Sequence, residues 1–274
     1  MNWIESLLYG LVSGISEFLP ISSRAHQAFM QYIFGVQVTD PVLQLFVHIA
    51  LIAALYVGFK PYLEQMRRNN SIYRSSGRSR RMNKPAPDER IAKNAVIPLL
   101  VVMFLLSFLL SDSTPLPVVS VVLIINGLLL YLPERFAQGN KCAGAMSMLD
   151  SWLMGIVSGL SILPGVSGVG AAVSVSLLRG ADKRKAINWA LMIAFYTLGA
   201  SICLDLFAII AQRGTVPFFN ALLSYITAAA AAYFSGYMGV KLVKLFTSRN
   251  NYCSFAYYNW GMALFVFLMY LIVV

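Results

Sequence analysis

Between Ser13 and His26 the chain reads Ser13-Gly14-Ile15-Ser16-Glu17-Phe18-Leu19-Pro20-Ile21-Ser22-Ser23-Arg24-Ala25-His26. A carboxylate, adjacent hydroxyls, a guanidinium and an imidazole thus gather around one proline inside an apolar stretch. Ionisable groups in such stretches are costly and mark functional sites by default. Pro20 breaks the helix, which puts Glu17 on the last turn of a first half-helix. Ser22 and Ser23 then open a second, where unpaired N–H groups and the helix dipole favour an anion. Arg24 and His26 fall in that first turn or just beyond it. The ligand these groups suit is an anionic headgroup on a lipid, most simply a phosphate. The bland alternative is that Glu17 and Arg24 pair only with each other and the serines only cap.

A second break supplies another anchor. Pro164-Gly165-Val166-Ser167-Gly168-Val169-Gly170-Ala171 is a Gly-rich turn opening a helix, and Gly165, Ser167 and Gly168 are its candidate phosphate contacts. Glycine and alanine also serve close helix packing, so the functional reading rests on the two breaks together. His48, about two turns into the next apolar segment, is a candidate cavity residue, with a packed, hydrogen-bonded histidine as the alternative. Asp205 reads as a surface carboxylate near the outer interface. Asn126 and Tyr196 read as helix–helix hydrogen bonders.

The elements that must position these residues are membrane helices. The 274 residues are 58% hydrophobic and 12% charged, with a mean hydropathy of +0.70, whereas soluble chains carry about 25% charged residues. Six segments have the length and apolarity of spans: 41–59, 95–111, 116–132, 188–210, 218–240 and 255–274. Two more stretches, about 3–35 and 152–178, are broken in mid-run by Pro20 and Pro164 and read as re-entrant pairs of half-helices. Irregular backbone at that depth is tolerated only where protein or a watery cavity surrounds it. Cys142, Cys203 and Cys253 lack paired or metal-ligand spacing and are expected as free thiols. The start, Met1-Asn2-Trp3-Ile4-Glu5, lacks the basic region of a cleavable signal peptide.

Charge placement orients the chain. Ten of the 21 Lys and Arg lie in 60–93, which is expected as a cytoplasmic loop, with Arg67–Pro87 its flexible part. If 152–178 re-enters without crossing, nineteen of the 21 share that side; a full crossing leaves thirteen against seven. The re-entrant arrangement puts both termini outside. The basic loop reads as an orientation signal that also attracts anionic lipid; without interleaved aromatics it does not point to nucleic acid. Gly10-Leu11-Val12-Ser13-Gly14-Ile15-Ser16 returns 145 residues later as Gly155-Ile156-Val157-Ser158-Gly159-Leu160-Ser161, each copy followed by a Pro/Ser break and three spans. The expected fold is therefore one all-α integral membrane domain: six transmembrane helices plus two re-entrant pairs in an inverted-topology repeat, with halves at about 1–134 and 150–274. In this plan the site lies where the broken helices meet near the midplane.

At these residues the chain resembles the bacterial undecaprenyl-diphosphate phosphatase, or bacitracin-resistance, family. That family's first motif is E-G-x-T-E-F-L-P-[VI]-S-S-T-G-H, against Ser13 to His26 here. Its second is P-G-x-S-R-S-G-A-T, against Pro164-Gly165-Val166-Ser167-Gly168-Val169-Gly170-Ala171-Ala172. Its third, a His or Gln before Leu-Gly, is echoed at His48-Ile49-Ala50. The resemblance implies removal of one phosphate from the C55 polyprenyl diphosphate at the outer face of the bacterial cytoplasmic membrane, which recycles the lipid carrier of cell-wall synthesis. It implies Glu17 as an acidic or metal-associated residue, Ser23 and His26 in nucleophilic or proton-transfer work, and Ser167 at the phosphate.

Departures fall on the same chemistry. Ser13 replaces the first motif's Glu, and Gly168, Val169 and Ala172 replace Arg, Ser and Thr of the second. The metal stays unassigned: a lone motif carboxylate is a poor site for Mg²⁺ or Ca²⁺, the cations the chemistry would use. Arg24 stands where the family has Thr and is expected to return a guanidinium near the missing one, binding phosphate with its planar fork. Three readings stay open. They are a phosphatase with weakened hydrolysis, a non-hydrolytic polyprenyl-phosphate transporter or binder, and a scaffold with a vestigial pocket. The expected partner is a polyprenyl phosphate or diphosphate in the membrane, and a homodimer is one assembly the sequence leaves open.

Overall fold

The computed structural model describes residues 2–35, 40–75, 87–110, 114–136, 139–211, 218–248 and 252–273. Among the basic positions used above, Arg78, Arg80, Arg81, Lys84, Arg213 and Arg249 lie outside them. The described residues form ten α-helices: α1 (Trp3–Phe18), α2 (Ser23–Ile33), α3 (Pro41–Ser75), α4 (Pro87–Leu109), α5 (Leu116–Phe136), α6 (Met148–Gly159), α7 (Gly168–Leu178), α8 (Lys183–Ala211), α9 (Phe218–Ser248) and α10 (Cys253–Val273). Six carry stretches long and apolar enough to cross a membrane: Pro41–Asn69, Pro87–Leu109, Leu116–Phe136, Lys183–Ala211, Ala221–Phe246 and Cys253–Ile272. Their outward side chains are apolar: Ile97, Phe108, Leu109 and Ile210 are 70–78% exposed. Water penalises such a surface and lipid does not. The protein is an all-α integral membrane protein, and its three cysteines are free.

Both breaks interrupt helices at the expected prolines, between α1 and α2 and between α6 and α7. The basic stretch differs from expectation. Residues 60–75 continue α3 through Pro61, supported by Lys60 and Glu64 one turn apart and by Gln65-Met66-Arg67-Arg68, which all favour helix. At its other end Pro87, Asp88 and Glu89 open α4 as N-terminal residues do. Only 76–86, outside the described residues, separates the two helices.

The repeated Gly-x-x-x-Gly sets two of the close helix contacts. α1 lies along α9, and α6 lies along α4. A methyl on Gly10 or Gly14 would run into the backbone of Ala228 or Ala232; one on Gly155 or Gly159 would run into that of Ala95 or Leu99. Each glycine pair therefore brings its half-helix into backbone contact with one long helix, as small residues do in membranes. The contacts α3–α8 and α5–α10 complete the bundle.

Candidate functional site

The breaks are stitched crosswise. Leu19 ends α1 in an extended conformation, and Ser22 takes φ 61°, the one non-Gly positive φ among the described residues. That conformation costs about 1–3 kcal/mol and persists only where its surroundings enforce it. Here Ser22 Oγ accepts the Gly165 N–H at 2.9 Å from the opposite break and caps α2 through Ala25 N–H at 3.4 Å. Ser167 mirrors it: its hydroxyl donates to Leu19 O at 3.2 Å and accepts from Gly170 N–H at 3.2 Å, capping α7. Asn126 of α5 accepts from Ser167 N–H at 3.1 Å and donates to Asn259 of α10 at 3.0 Å; Asn259 in turn donates to Pro20 O at 2.9 Å. All four side chains are buried, and their hydrogen bonds fix both irregular turns.

This scaffold frames a narrow polar cleft. Its walls are Glu17 from α1, Ser23, Arg24 and Gln27 from α2, His48 from α3, Ser161, Val166, Ser167 and Gly168 from the second break, and Thr197 and Ser201 from α8. The first turns of α2 and α7 both open on it, the arrangement that suits an oxyanion. Its volume is about 20 Å³, enough for a water molecule, which needs roughly 10–15 Å³, so a phosphate enters only when side chains move. Glu17 and Arg24 have no hydrogen-bond or ion-pair partner among the described residues. They do not neutralise each other, and both stay available to a ligand.

Of the residues singled out in the sequence, Glu17, Ser23, Arg24, His48, Ser167 and Gly168 meet in the cleft. Four do not line it. Ser22 and Gly165 bond to each other and hold the breaks, and Gly165, at φ 119° and packed on Val122, fills a place no side chain fits. Ser13 sits behind the wall, accepting from Gln27 Nε2 at 3.1 Å, while Gln27 also reaches Ser23 Oγ at 3.4 Å. His26 faces α10: Nδ1 donates to Ser22 O at 2.8 Å, and Nε2 accepts from Tyr258 Oη at 2.7 Å with the rings stacked. The helix turn that points Ser23 and Gln27 inward carries His26 off the cleft.

Asp205 also corrects its reading. It is buried and bonds His48 Nδ1 at 2.6 Å. Asn126 does bond across helices, whereas Tyr196 lines a separate cavity with Leu63 and Phe195. Gln27, Ser161, Thr197, Ser201 and Asn259 were missed. Thr197, Ser201 and Asp205 were legible as a four-residue polar rhythm on one face of an apolar helix. The donor set does not suit a resident Mg²⁺ or Ca²⁺. Glu17 is the cleft's one carboxylate, Ser13 has lost the other, and no group of three metal-binding side chains occurs among the described residues.

The profile of the family described as "Bacitracin resistance protein BacA" matches residues 6–265. The chain is 29% identical to the undecaprenyl-diphosphatase of Carboxydothermus hydrogenoformans, over 95% of this chain and 94% of that protein. It is 29% identical to undecaprenyl-diphosphatase 2 of Halalkalibacterium halodurans, over 97% and 96%. With the undecaprenyl-diphosphatase of Methanobrevibacter smithii it shares 27% over 98% of both.

Proposed function

The chain belongs to the bacitracin resistance protein BacA family, and from that premise we propose that it is a multi-pass membrane phosphatase acting on undecaprenyl diphosphate. It removes the terminal phosphate and so returns the lipid carrier to cell-wall synthesis. The observation that carries this reading is the cleft itself: Ser23, Arg24 and Glu17 meet at two helix N-termini inside an apolar bundle. Arg24 and the first amides of α2 and α7 hold the phosphoryl oxygens, and Ser23 supplies the nucleophile. Glu17 orients the attacking groups. The cleft's own donors carry the reaction, with no step through a metal. We read α1–α2 and α6–α7 as re-entrant pairs of an inverted repeat, with the cleft open to the outer face of the cytoplasmic membrane and both termini on that side.

Ser13, Gly168, Val169 and Ala172 remove groups that the family's motifs supply. Losing one pre-organised donor costs about 2.7–4 kcal/mol, or 10²–10³ in rate, so turnover is slow. The same losses favour a second reading, carriage of the lipid phosphate without hydrolysis, because Arg24 and the helix N-termini still bind an anion.

Phosphate release from C55 diphosphate by purified protein in detergent, with and without Mg²⁺ or Ca²⁺, beside Ser23→Ala, decides between them. Release that vanishes in Ser23→Ala supports the phosphatase. No release with saturable binding of C55 phosphate moves the protein to carriage, and neither activity overturns both.

A further inference from the structure

The chain has two histidines, placed for opposite tasks. Both ring nitrogens of His26 are taken. Ser22 O only accepts, so Nδ1 carries the proton, and Nε2 accepts from the Tyr258 hydroxyl. In His48 the Asp205 carboxylate also only accepts, so Nδ1–H points to Asp205 and Nε2 keeps its lone pair. His48 lies on the cleft wall with Ser23, Glu17 and Arg24, and among the described residues its Nε2 has no partner. His48 and Asp205 are 7% and 8% exposed, so the pair is buried between α3 and α8.

We propose that His48, held by Asp205, is the acid–base group of this cleft, in the place that family resemblance assigns to His26. The inference deepens the phosphatase reading and rests on it. In the first step Ser23 Oγ bonds to the terminal phosphorus as its proton passes to His48 Nε2. The bond from that phosphorus to the bridging oxygen breaks, and the lipid monophosphate leaves with the proton from His48. In the second step water attacks the phosphoserine, its proton goes to His48, and the Ser23 O–P bond breaks. Inorganic phosphate departs, and Ser23 recovers its proton from His48. The net reaction consumes one water per diphosphate. Asp205 is the positioning residue: it keeps the proton on Nδ1 and offsets the charge of the imidazolium formed at each step.

The test compares His48→Gln, His26→Gln and Asp205→Asn in full-length protein, with binding of C55 phosphate as the check that each variant folds. His48→Gln is expected to lower kcat about 10²-fold or more with KM little changed, and His26→Gln to lower it far less. Asp205→Asn removes the charge and no longer compels the Nδ1–H tautomer, so kcat falls while C55 phosphate still binds. With only two imidazoles, nitrogen-15 spectra should show a downfield Nδ1–H signal that disappears in Asp205→Asn. Wild-type turnover matched by His48→Gln overturns the assignment alone, as does wild-type protein lacking that signal. A wild type that releases no phosphate overturns the phosphatase reading first and the acid–base role with it.

Discussion

Moving the guanidinium across the cleft tests whether Arg24 replaces the arginine the family carries at position 168. Arg24→Ala removes charge-assisted hydrogen bonds worth about 1.5–3 kcal/mol each, so losing one weakens C55 phosphate binding about 10- to 150-fold. Arg24→Lys keeps the charge without the planar fork and falls between. In Arg24→Thr/Gly168→Arg the guanidinium returns from the opposite wall. A Cβ at 168 would lie 3.0 Å from Ser161 Cβ and 3.4 Å from Ser158 O. Ser161 borders the cleft, so a few tenths of an ångström of side-chain movement admits the new residue. Gly168 is the first residue of α7 and has no positive φ, so its backbone accepts arginine. The double variant is expected to recover most of the affinity lost in Arg24→Thr, read by titration of labelled C55 phosphate in detergent. Unchanged affinity in Arg24→Ala, or no recovery in a folded double variant, refutes the substitution of one wall for the other.

Three further perturbations follow from the packing. Gly14→Ala places a methyl 2.5 Å from Ala232 O and 2.8 Å from Gly236 N, backbone atoms that cannot turn aside. Overpacking of this kind costs about 1–3 kcal/mol, so its thermal midpoint should fall, while that of Gly199→Ala, with nothing within 4 Å, should hold or rise. Ser22→Ala strands the buried Gly165 N–H, a penalty of about 1–3 kcal/mol; a midpoint equal to wild type contradicts the stitched-break account. At the start of α6, burial alone would raise the Asp150 carboxyl, but hydrogen bonds from the Ser147 backbone and from Arg179 hold it below the usual range. That contribution is present above the unfolded value of about 3.9 and is lost as pH falls through the lower folded one. Wild type should therefore lose its stability advantage over Asp150→Asn below about pH 4, as seen in thermal midpoints across pH; an advantage that persists to pH 2 contradicts it.

Much was legible in the sequence because membrane helices obey one strong constraint. Apolar runs of spanning length mark the six long helices, since backbone polar groups in lipid must be satisfied within the helix. Pro20 and Pro164 mark the breaks because proline lacks the N–H and clashes with the preceding turn. Charged residues in such runs drew attention to Glu17, Arg24 and His48 for the same energetic reason, and all three line the cleft. The extent of α3 was hidden because the apolar signal stops at Phe59 and Pro61 marks a break that the helix nonetheless passes through.

Roles within the motif were decided by tertiary structure. Ser22 and Ser23 are adjacent and chemically identical, yet one holds the opposite break and the other faces the cleft. Which does which depends on a positive φ at Ser22 and on a backbone N–H 143 residues away. His26 lies off the cleft and His48 on its wall for a similar reason. The side of α2 on which His26 falls is set by how α2 meets α10, and the Asp205 that orients His48 lies 157 residues further along the chain. Residue types determine which chemistry is available, whereas long-range packing selects the atoms that can perform it, because helix rotation and hydrogen-bond partners are properties of the assembled bundle.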